Sequence, residues 1–378
     1  MPKYRFDEIA INSTEKKKPT EADKETYIGL EHLDSGILEV TRWGAEVAPV
    51  GDKLVMRKGD ILFGRRRAYQ KKVAIAPFDG IFSAHGMVLR PIETVISKEF
   101  FPFFISSDYF LGAAIQISVG SLSPTINWRD LCKLEFEIPT IEEQRELSPI
   151  LWGMNRLKAA YSHLLQQMDA LVQSQFVEMF GDPELQTENL TNLGQHIDIL
   201  NGFAFKGELF TDEGIPVIKI GNVNRADFSI GSMQYYQYDP ELSRFEIHPG
   251  DVLISLTGTV GKEDFGNVCM VSADFDRYYL NQRNARLVLH DELVPEYILH
   301  LLQNRFIRRR LIQSGTGVRQ CHLHNKDLDG IKFVLPDRQT QEEFAVFIRQ
   351  LDKSKLAIQQ ALDSLEKSRN AIMKKVFG

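Results

Sequence analysis

Hydrophobic and polar positions follow two periods along this chain. Short apolar runs, VAIA (73–76), MVLR (87–90), VIKI (217–220), DVLISL (251–256) and ARLVL (285–289), are bounded by Gly, Asp and Asn, as strands are. Amphipathic helices are predicted over 99–118 and 295–314, each followed by a glycine-containing loop, VGSLSPTINWRD (119–130) or TGVRQCHLHNKD (316–327). Two longer helical patterns stand apart. In the first, Met154, Tyr161 and Met168 recur every seven residues, with Leu157, Leu164 and Leu171 at the complementary heptad position. In the second, Leu351, Ile358, Leu365 and Ile372 hold one position and Ser354, Ala361 and Ser368 the other. Large residues facing small ones predict that the two helices pair closely and antiparallel; the alternative is that each packs only on its own globular part. Each would be about 40 residues and about 60 Å long. Pro139 and Pro336 precede them, where a missing N–H costs little, and Phe180-Gly181 and Phe377-Gly378 end them.

The chain is also written twice. LPDRQTQEEFAVFIRQ lies over IPTIEEQRELSPILWG without a gap, from Ile138/Leu335 to Gly181/Gly378, a difference of 197 positions. GDILFGRRRAYQKKVAIA (59–76) matches GDVLISLTGTVGKEDFGNVCMV (250–271), and YIGLEHLDSG matches IKIGNVNRAD. The expected organisation is a globular domain over 1–138, a helix over 139–181, a second domain over 182–335 and a second helix over 336–378. The fold class is α+β: two mixed α/β domains related by a pseudo-twofold axis, separated by two long helices forming an antiparallel coiled coil.

Composition narrows the setting. With 378 residues, 43% hydrophobic and 25% charged, this is the balance of a soluble globular protein. The greasiest stretch is broken by Ser106, Ser107 and Asp108 and no signal-peptide pattern opens the chain, so a cytoplasmic location without membrane partners is expected. Cys132, Cys269 and Cys321 lie too far apart for a metal knuckle or a disulfide framework. The net charge of −6 argues weakly against nucleic acid, but the placement of charge matters more.

The stretch ending in Gly261-Lys262 resembles a phosphate loop. A Walker A loop needs a glycine where Leu256 stands, and Ser or Thr where Glu263 follows the lysine. Its twin, FGRRRAYQKK, shares no cradle, so a hairpin facing a polyanion is the better reading. The basic, aromatic-interleaved loop holds Arg65, Arg66, Arg67, Tyr69, Lys71 and Lys72; Arg suits guanine edges or phosphates, and Lys supplies point charge. Its counterparts in the second half are Thr257, Thr259 and Lys262, the cluster Tyr279, Asn281, Gln282 and Arg283, and Arg319, Gln320, His322 and His324; Ser121 and Ser123 join the first set. Arg277, Arg286, Arg305, Arg308, Arg309 and Arg310 add basic surface, some of it ordinary helix charge. His322 and His324 on one strand face would invite a metal, but no Asp or Cys set completes a site. No paired carboxylates, Ser/His/Asp set, Asn-Pro-Pro-Tyr element or Gly-x-Gly-x-x-Gly loop points to catalysis by this chain.

Two variable globular halves alternating with two matched helices resemble the specificity (S) subunit of type I restriction-modification enzymes over essentially the whole chain. The resemblance rests on NGFAFKGELFTDEGIPVIKIGNV (201–223), GDVLISLTGTVGK (250–262), the Ile138-Pro139…Gln144 and Leu335-Pro336…Gln341 elements and the heptad helices. The chain departs from the family pattern in starting abruptly, with the first domain near Met1. The resemblance implies that each half is a target recognition domain for one part of a split, asymmetric double-stranded DNA site. It implies that the helices act as a ruler and dock two modification subunits, and a restriction subunit where one is present. It implies no cofactor on this chain: S-adenosylmethionine belongs to the modification subunit, ATP and Mg to the restriction subunit. The competing readings are a protein-binding scaffold and a nucleotide-dependent enzyme using Lys262.

Overall fold

The first half forms β1 (Lys3–Arg5), β2 (Ala10–Ser13), β3 (Lys16–Lys17), β4 (Tyr27–Ile28), β5 (Lys53–Met56), β6 (Ile61–Phe63), β7 (Val73–Ile75), β8 (Gly80–Phe82), β9 (Met87–Pro91) and β10 (Glu135–Glu137), with the apolar runs 73–76 and 87–90 as β7 and β9. The helices among them are α1 (Phe6–Ile9), α2 (Phe101–Ile105), α3 (Asp108–Gln116), α4 (Trp128–Leu131) and the long α5 (Ile141–Phe180). The second half supplies β11 (Leu190–Asn192), β12 (Ile197–Asn201), β13 (Ile215–Ile218), β14 (Gln234–Tyr236), β15 (Glu246–Ile247), β16 (Val252–Ser255), β17 (Thr257–Thr259), β18 (Val268–Met270), β19 (Tyr278–Leu280), β20 (Asn284–Leu289), β21 (Gln320–His322) and β22 (Lys332–Val334). Its helices are α6 (Ile220–Val223), α7 (Pro295–Gln303), α8 (Arg305–Ser314), α9 (Asn325–Asp329) and α10 (Arg338–Phe377). This computed structural model describes residues 1–223, 228–259, 261–315 and 320–377; Val260, Arg319 and Gly378 lie outside the described residues. Two units result, Met1–Tyr161 with Gln360–Gly378, and Ser162–Gln359.

The repetition read from the letters is a repetition of topology. An antiparallel sheet of order β2-β9-β6-β7 in the first unit recurs as β12-β20-β16-β18 in the second, and the ribbon β1-β10 recurs as β11-β22. In the mixed sheet, β8 lies between parallel β4 and antiparallel β5, as β19 lies between β13 and β15. The fourth strand differs: β3 adds beside β5, whereas β14 adds beside β13. The edge strand comes from before β4 in one copy and from after β13 in the other, so it reaches opposite edges. Each GD turn is fixed alike, by an aspartate paired to the neighbouring strand: buried Asp60 with Arg90 at 2.8 Å, half-buried Asp251 with Arg286 at 3.1 Å. Arg286 is therefore a structural ion pair rather than free basic surface.

The helices predicted over 99–118 and 295–314 each break in two. Ser107 accepts from the Phe110 amide at 3.1 Å and Asn304 from the Phe306 amide at 2.9 Å, and each starts a new helix as its N-cap. The long helices start on side-chain caps too. Glu143 accepts from the Thr140 amide at 2.8 Å ahead of α5, and Asp337 accepts from the Thr340 amide at 2.9 Å ahead of α10.

Both long helices span 40 residues, and their less exposed stripe corrects the predicted seam. On α5 it follows Met154, Lys158, Tyr161, Leu165, Met168 and Val172, while Leu157, Leu164 and Leu171 are 43%, 38% and 46% exposed. On α10 it follows Leu351, Lys355, Ile358, Leu362, Leu365, Arg369 and Ile372; Ser354 and Ser368 are exposed. Positions i+3 and i+4 both sit beside i on a helix, and here i+4 faces inward on each. Lysine stems can line such a seam while their ammonium groups reach its edge. In the first unit Lys158 pairs with Glu366 at 3.5 Å, and in the second Lys355 pairs with Asp169 at 2.6 Å, both consistent with antiparallel pairing.

Each unit's core takes in the end of a long helix. In the first, Phe377 stacks on Tyr109 at 5.1 Å and meets Phe100 and Phe104, within an aromatic cluster around Phe6, Phe110 and Phe136. In the second, Phe176 stacks on Tyr297 at 5.8 Å and Phe180 meets Phe344 edge-on at 5.3 Å. The start of each helix is tied down by a fully buried glutamine. Gln144 accepts from the Ser97 amide at 2.7 Å and donates to the carbonyls of Val95 (3.0 Å) and Pro139 (2.8 Å). Gln341 repeats this with Val294 (2.9 Å), Glu292 (3.0 Å) and Pro336 (3.0 Å). The Pro…Gln element is thus a joint between helix and globular part.

Candidate nucleic-acid interface

In each unit three connections meet at one end of the sheets. The first leaves the strand after the GD turn: residues 64–72 after β6, and 256–267 after β16. The second is the tight turn from the mixed sheet to the antiparallel one, closed by Gly86 N–H to Ser83 O (3.0 Å) and by Asn284 N–H to Asn281 O (3.0 Å). The third follows α3 in the first unit, and in the second is described from Gln320 to His324. The third is stitched to the first identically, by Ile126 N–H to Arg65 O (2.9 Å) and Leu323 N–H to Leu256 O (2.8 Å). Arg66 bridges Thr125 in one unit, and in the other the same pairing, Thr257 with His322, extends into the ribbon β17-β21. The hairpins read as twins are twins in hydrogen bonding.

Their side chains differ. In the first unit Arg66, Arg67 and Tyr69 are exposed, Tyr69 by 56%. Arg67 and Lys71 both hold left-handed backbone, with φ of 55° and 48°, a conformation non-glycine residues rarely adopt outside constrained loops. Arg65 is half-buried and reaches the Ala84 carbonyl at 3.4 Å, and Arg66 lies 3.5 Å from the His85 ring. Lys71 pairs with Asp108 at 2.5 Å, and Lys72 donates to the Leu30 carbonyl at 2.6 Å, so both lysines brace the loop. Ser121 is exposed and Ser123 half-buried, on a loop closed by Val119 and Thr125.

The second unit places Thr259, Lys262, Gln282, Arg283, Gln320 and His322 on its surface, with Thr257 half-buried. The glycines of GTVGK have local causes. A Cβ on Gly258 would lie 2.4 Å from the Asp264 carboxylate, and Gly261 has φ of 79°. Thr259 donates to Asp264 through both its amide (2.7 Å) and its hydroxyl (2.8 Å), and the amide holds that carboxyl below the usual range. The lysine turn leads to β18, not into a helix, so no helix N-terminus faces it. Lys262 and Lys71 differ in role, since Lys71 is pinned at Asp108.

Three expected contacts are reassigned. Tyr279 is fully buried, its hydroxyl donating to the Asp239 carbonyl (3.2 Å) and accepting from the Asp239 amide (3.1 Å); burial pushes its pKa up, and it has no surface to offer DNA. Asn281 is half-buried and accepts from the Arg283 amide at 3.3 Å, shaping the turn that presents Gln282 and Arg283. His324 precedes α9 as its N-cap, past the end of β21, so it does not share a strand face with His322. Arg308 donates to the Glu263 carbonyl at 2.8 Å and braces the lysine turn. Sequence reasoning missed His85. It is exposed in the turn 83–86, where the second unit has Gln282 and Arg283, and aligning the two copies across that turn would have found it. Among the described residues, no cluster of His, Cys, Asp or Glu is placed to hold a metal ion, and no helix is long and apolar enough to cross a membrane.

Two copies of one α+β unit, each presenting stitched loops with different polar side chains, define an internally duplicated protein with a twinned loop site. The family model for the type I restriction modification DNA specificity domain matches residues 8–158 and 189–367, and the chain belongs to that family. It is 19% identical over 274 residues to the type I restriction enzyme MjaVIII specificity subunit of Methanocaldococcus jannaschii, covering 67% of this chain and 64% of that protein. It is 26% identical over 145 residues to the EcoDI specificity subunit of Escherichia coli, covering 38% of this chain and 32% of that one. The chain thus matches 64% and 32% of the length of these two curated relatives. A crystal structure of the type I restriction-modification S subunit from M. genitalium has the same fold, with a TM-score of 0.59 at 15% identity, covering 100% of this chain and 96% of that one. A chain solved in work on complex assembly and conformational transition of the type I R-M system gives 0.54 at 19% identity, covering 100% and 97%.

Proposed function

We propose that this chain is the non-catalytic DNA-recognition subunit of a type I restriction-modification complex, each unit reading one half of an asymmetric bipartite duplex site. The observation that carries the reading is the twinned loop site: the same backbone hydrogen bonds recur, while the positions held by Arg66, Arg67 and His85 in one copy are held by different residues, among them Thr257, Gln282 and Arg283, in the other. Equal scaffolds with unequal side chains suit two half-sites of different sequence. Arg66 and Arg67 contact guanine edges or phosphates, Gln282 reads a base edge, and Tyr69, Lys262, Gln320 and His322 complete the polar surface. Arg319 belongs to the same proposal from its sequence position. The long helices set the spacing between half-sites and dock two modification subunits, and a restriction subunit where one is present. Support for docking comes from Ile150, Leu157, Leu164 and Leu171, a seven-residue repeat of exposed apolar residues along α5. S-adenosylmethionine and ATP chemistry belong to those partners.

The test is the methylome of a host expressing the chain with its modification partner, with and without exchange of residues 1–138 for another recognition domain. One half of the modified motif should change and the other should stay. A motif unchanged, or changed in both halves, refutes modular reading. A chain that hydrolyses ATP alone, and loses this on Lys262→Ala, would favour the enzyme reading instead.

A further inference from the structure

Beside the basic loop of the first unit stands an apolar one. Residues 44–52, GAEVAPVGD, carry Val47 and Val50 at 75% and 93% exposure, unusual for valine in a segment so firmly held. The Gly44 amide donates to the Tyr27 carbonyl (2.8 Å) and the Ala45 amide to the Lys24 carbonyl (3.0 Å). At the far end the Lys53 ammonium binds the carbonyls of Val50 and Gly51, and Trp43, just before the loop, packs edge-on to Phe78 at 5.3 Å. Through Val47, Pro49 and Val50 the loop walls a cleft of about 370 Å³ with Tyr27 and the turn residues Ser83, Ala84 and His85. That turn is one of the three connections of the recognition site, and His85 touches Arg66. The apolar surface is therefore continuous with the basic one.

We infer that the loop 44–52 is a further base-reading element of the first unit, entering the major groove with Val47 and Val50 against thymine 5-methyl groups. The inference rests on the DNA-recognition reading and goes beyond it by naming the element and the base feature it reads. Charge selects the groove floor over the phosphate edge. Glu46 and Asp52 flank the valines as exposed carboxylates, which phosphates would repel, whereas in the major groove a carboxylate accepts from the cytosine amino group. Thymine presents the one large apolar group in that groove, and an exposed valine loses its water against it.

The test uses the full chain assembled with its modification subunit. Duplexes carry deoxyuridine for each thymine of the half-site assigned to residues 1–138, which removes only the 5-methyl, and the protein is wild type, Val47→Ser/Val50→Ser or Arg66→Ala. Both valines are exposed, so the double variant should melt as wild type. Expected are a loss of about fourfold in wild-type affinity per contacted methyl, the equivalent of burying one methyl group, and no further loss from deoxyuridine in the double variant. Equal deoxyuridine sensitivity in wild type and double variant overturns the inference, as does a half-site without A·T pairs. Normal DNA affinity with lost subunit assembly would make the loop a protein-docking element and overturn it too. Arg66→Ala separates the two levels: if it leaves affinity unchanged, the basic-loop reading itself fails.

Discussion

Replacing Gln144 by leucine should loosen the joint between α5 and the first unit without touching any DNA-facing residue. The amide is fully buried and makes three bonds, one accepted from Ser97 and two donated to Val95 and Pro139. Leucine fills a similar volume but leaves one backbone N–H and two carbonyls unpartnered. Each orphaned buried group costs about 1–3 kcal/mol, and the three share one small site, so the loss should be about 3–5 kcal/mol. Because stability differs locally within a structure, the assay is native-state hydrogen exchange by mass spectrometry on the peptide containing Ser97, together with the urea midpoint. Exchange at Ser97 should accelerate by two orders of magnitude or more, at about tenfold per 1.4 kcal/mol, and Gln341→Leu should do the same to the Val294 amide. Unchanged protection at Ser97, with a midpoint shift worth under about 1 kcal/mol by the usual cost of an orphaned group, would refute the reasoning and make the buried amide incidental to the joint.

Other consequences can be read from single residues. His300 is half-buried edge-on to Phe344, with both ring nitrogens buried and neither bonded; burial, helped by Lys355, holds its pKa down to about 4. The unfolded imidazole, near 6.5, then binds a proton the folded one refuses, so stability should fall as pH drops from about 6.5 toward 4, by about 3 kcal/mol; urea titrations of His300→Leu should lack this slope. Arg66→Ala should lower the slope of log affinity against log salt by about 1 if it meets a phosphate, or relax specificity at one position if it meets a base. Tyr279→Phe should cost about 1 kcal/mol of stability through its bonds to Asp239 and leave the recognised sequence unchanged by methylome sequencing. Leu164→Asp should abolish co-purification with the modification subunit while the melting temperature holds within a few degrees, since Leu164 is 38% exposed.

The sequence by itself determined the plan. A constant offset between copies, strand-length apolar runs and heptads survive in the letters because each records a local period. It therefore placed α5, α10, the main strands and the equivalence of FGRRRAYQKK with LTGTVGKE, and it placed the Pro…Gln elements without their reason. Tertiary structure decided what each side chain does within that plan. Whether i+3 or i+4 faces inward depends on the opposing surface, and so Leu157, Leu164 and Leu171 turned outward while Lys158, Leu165 and Val172 line the seam. Tyr279 and Asn281 sit two residues apart in one polar-looking cluster, yet the sheet buries the first and its edge turn half-covers the second. Lys71 found a carboxylate 37 positions away, and His85 became part of the site only when the turn 83–86 came to lie beside Arg66. Ion pairs and surfaces of this kind are made by residues distant in the chain, and no local pattern encodes the distance between them.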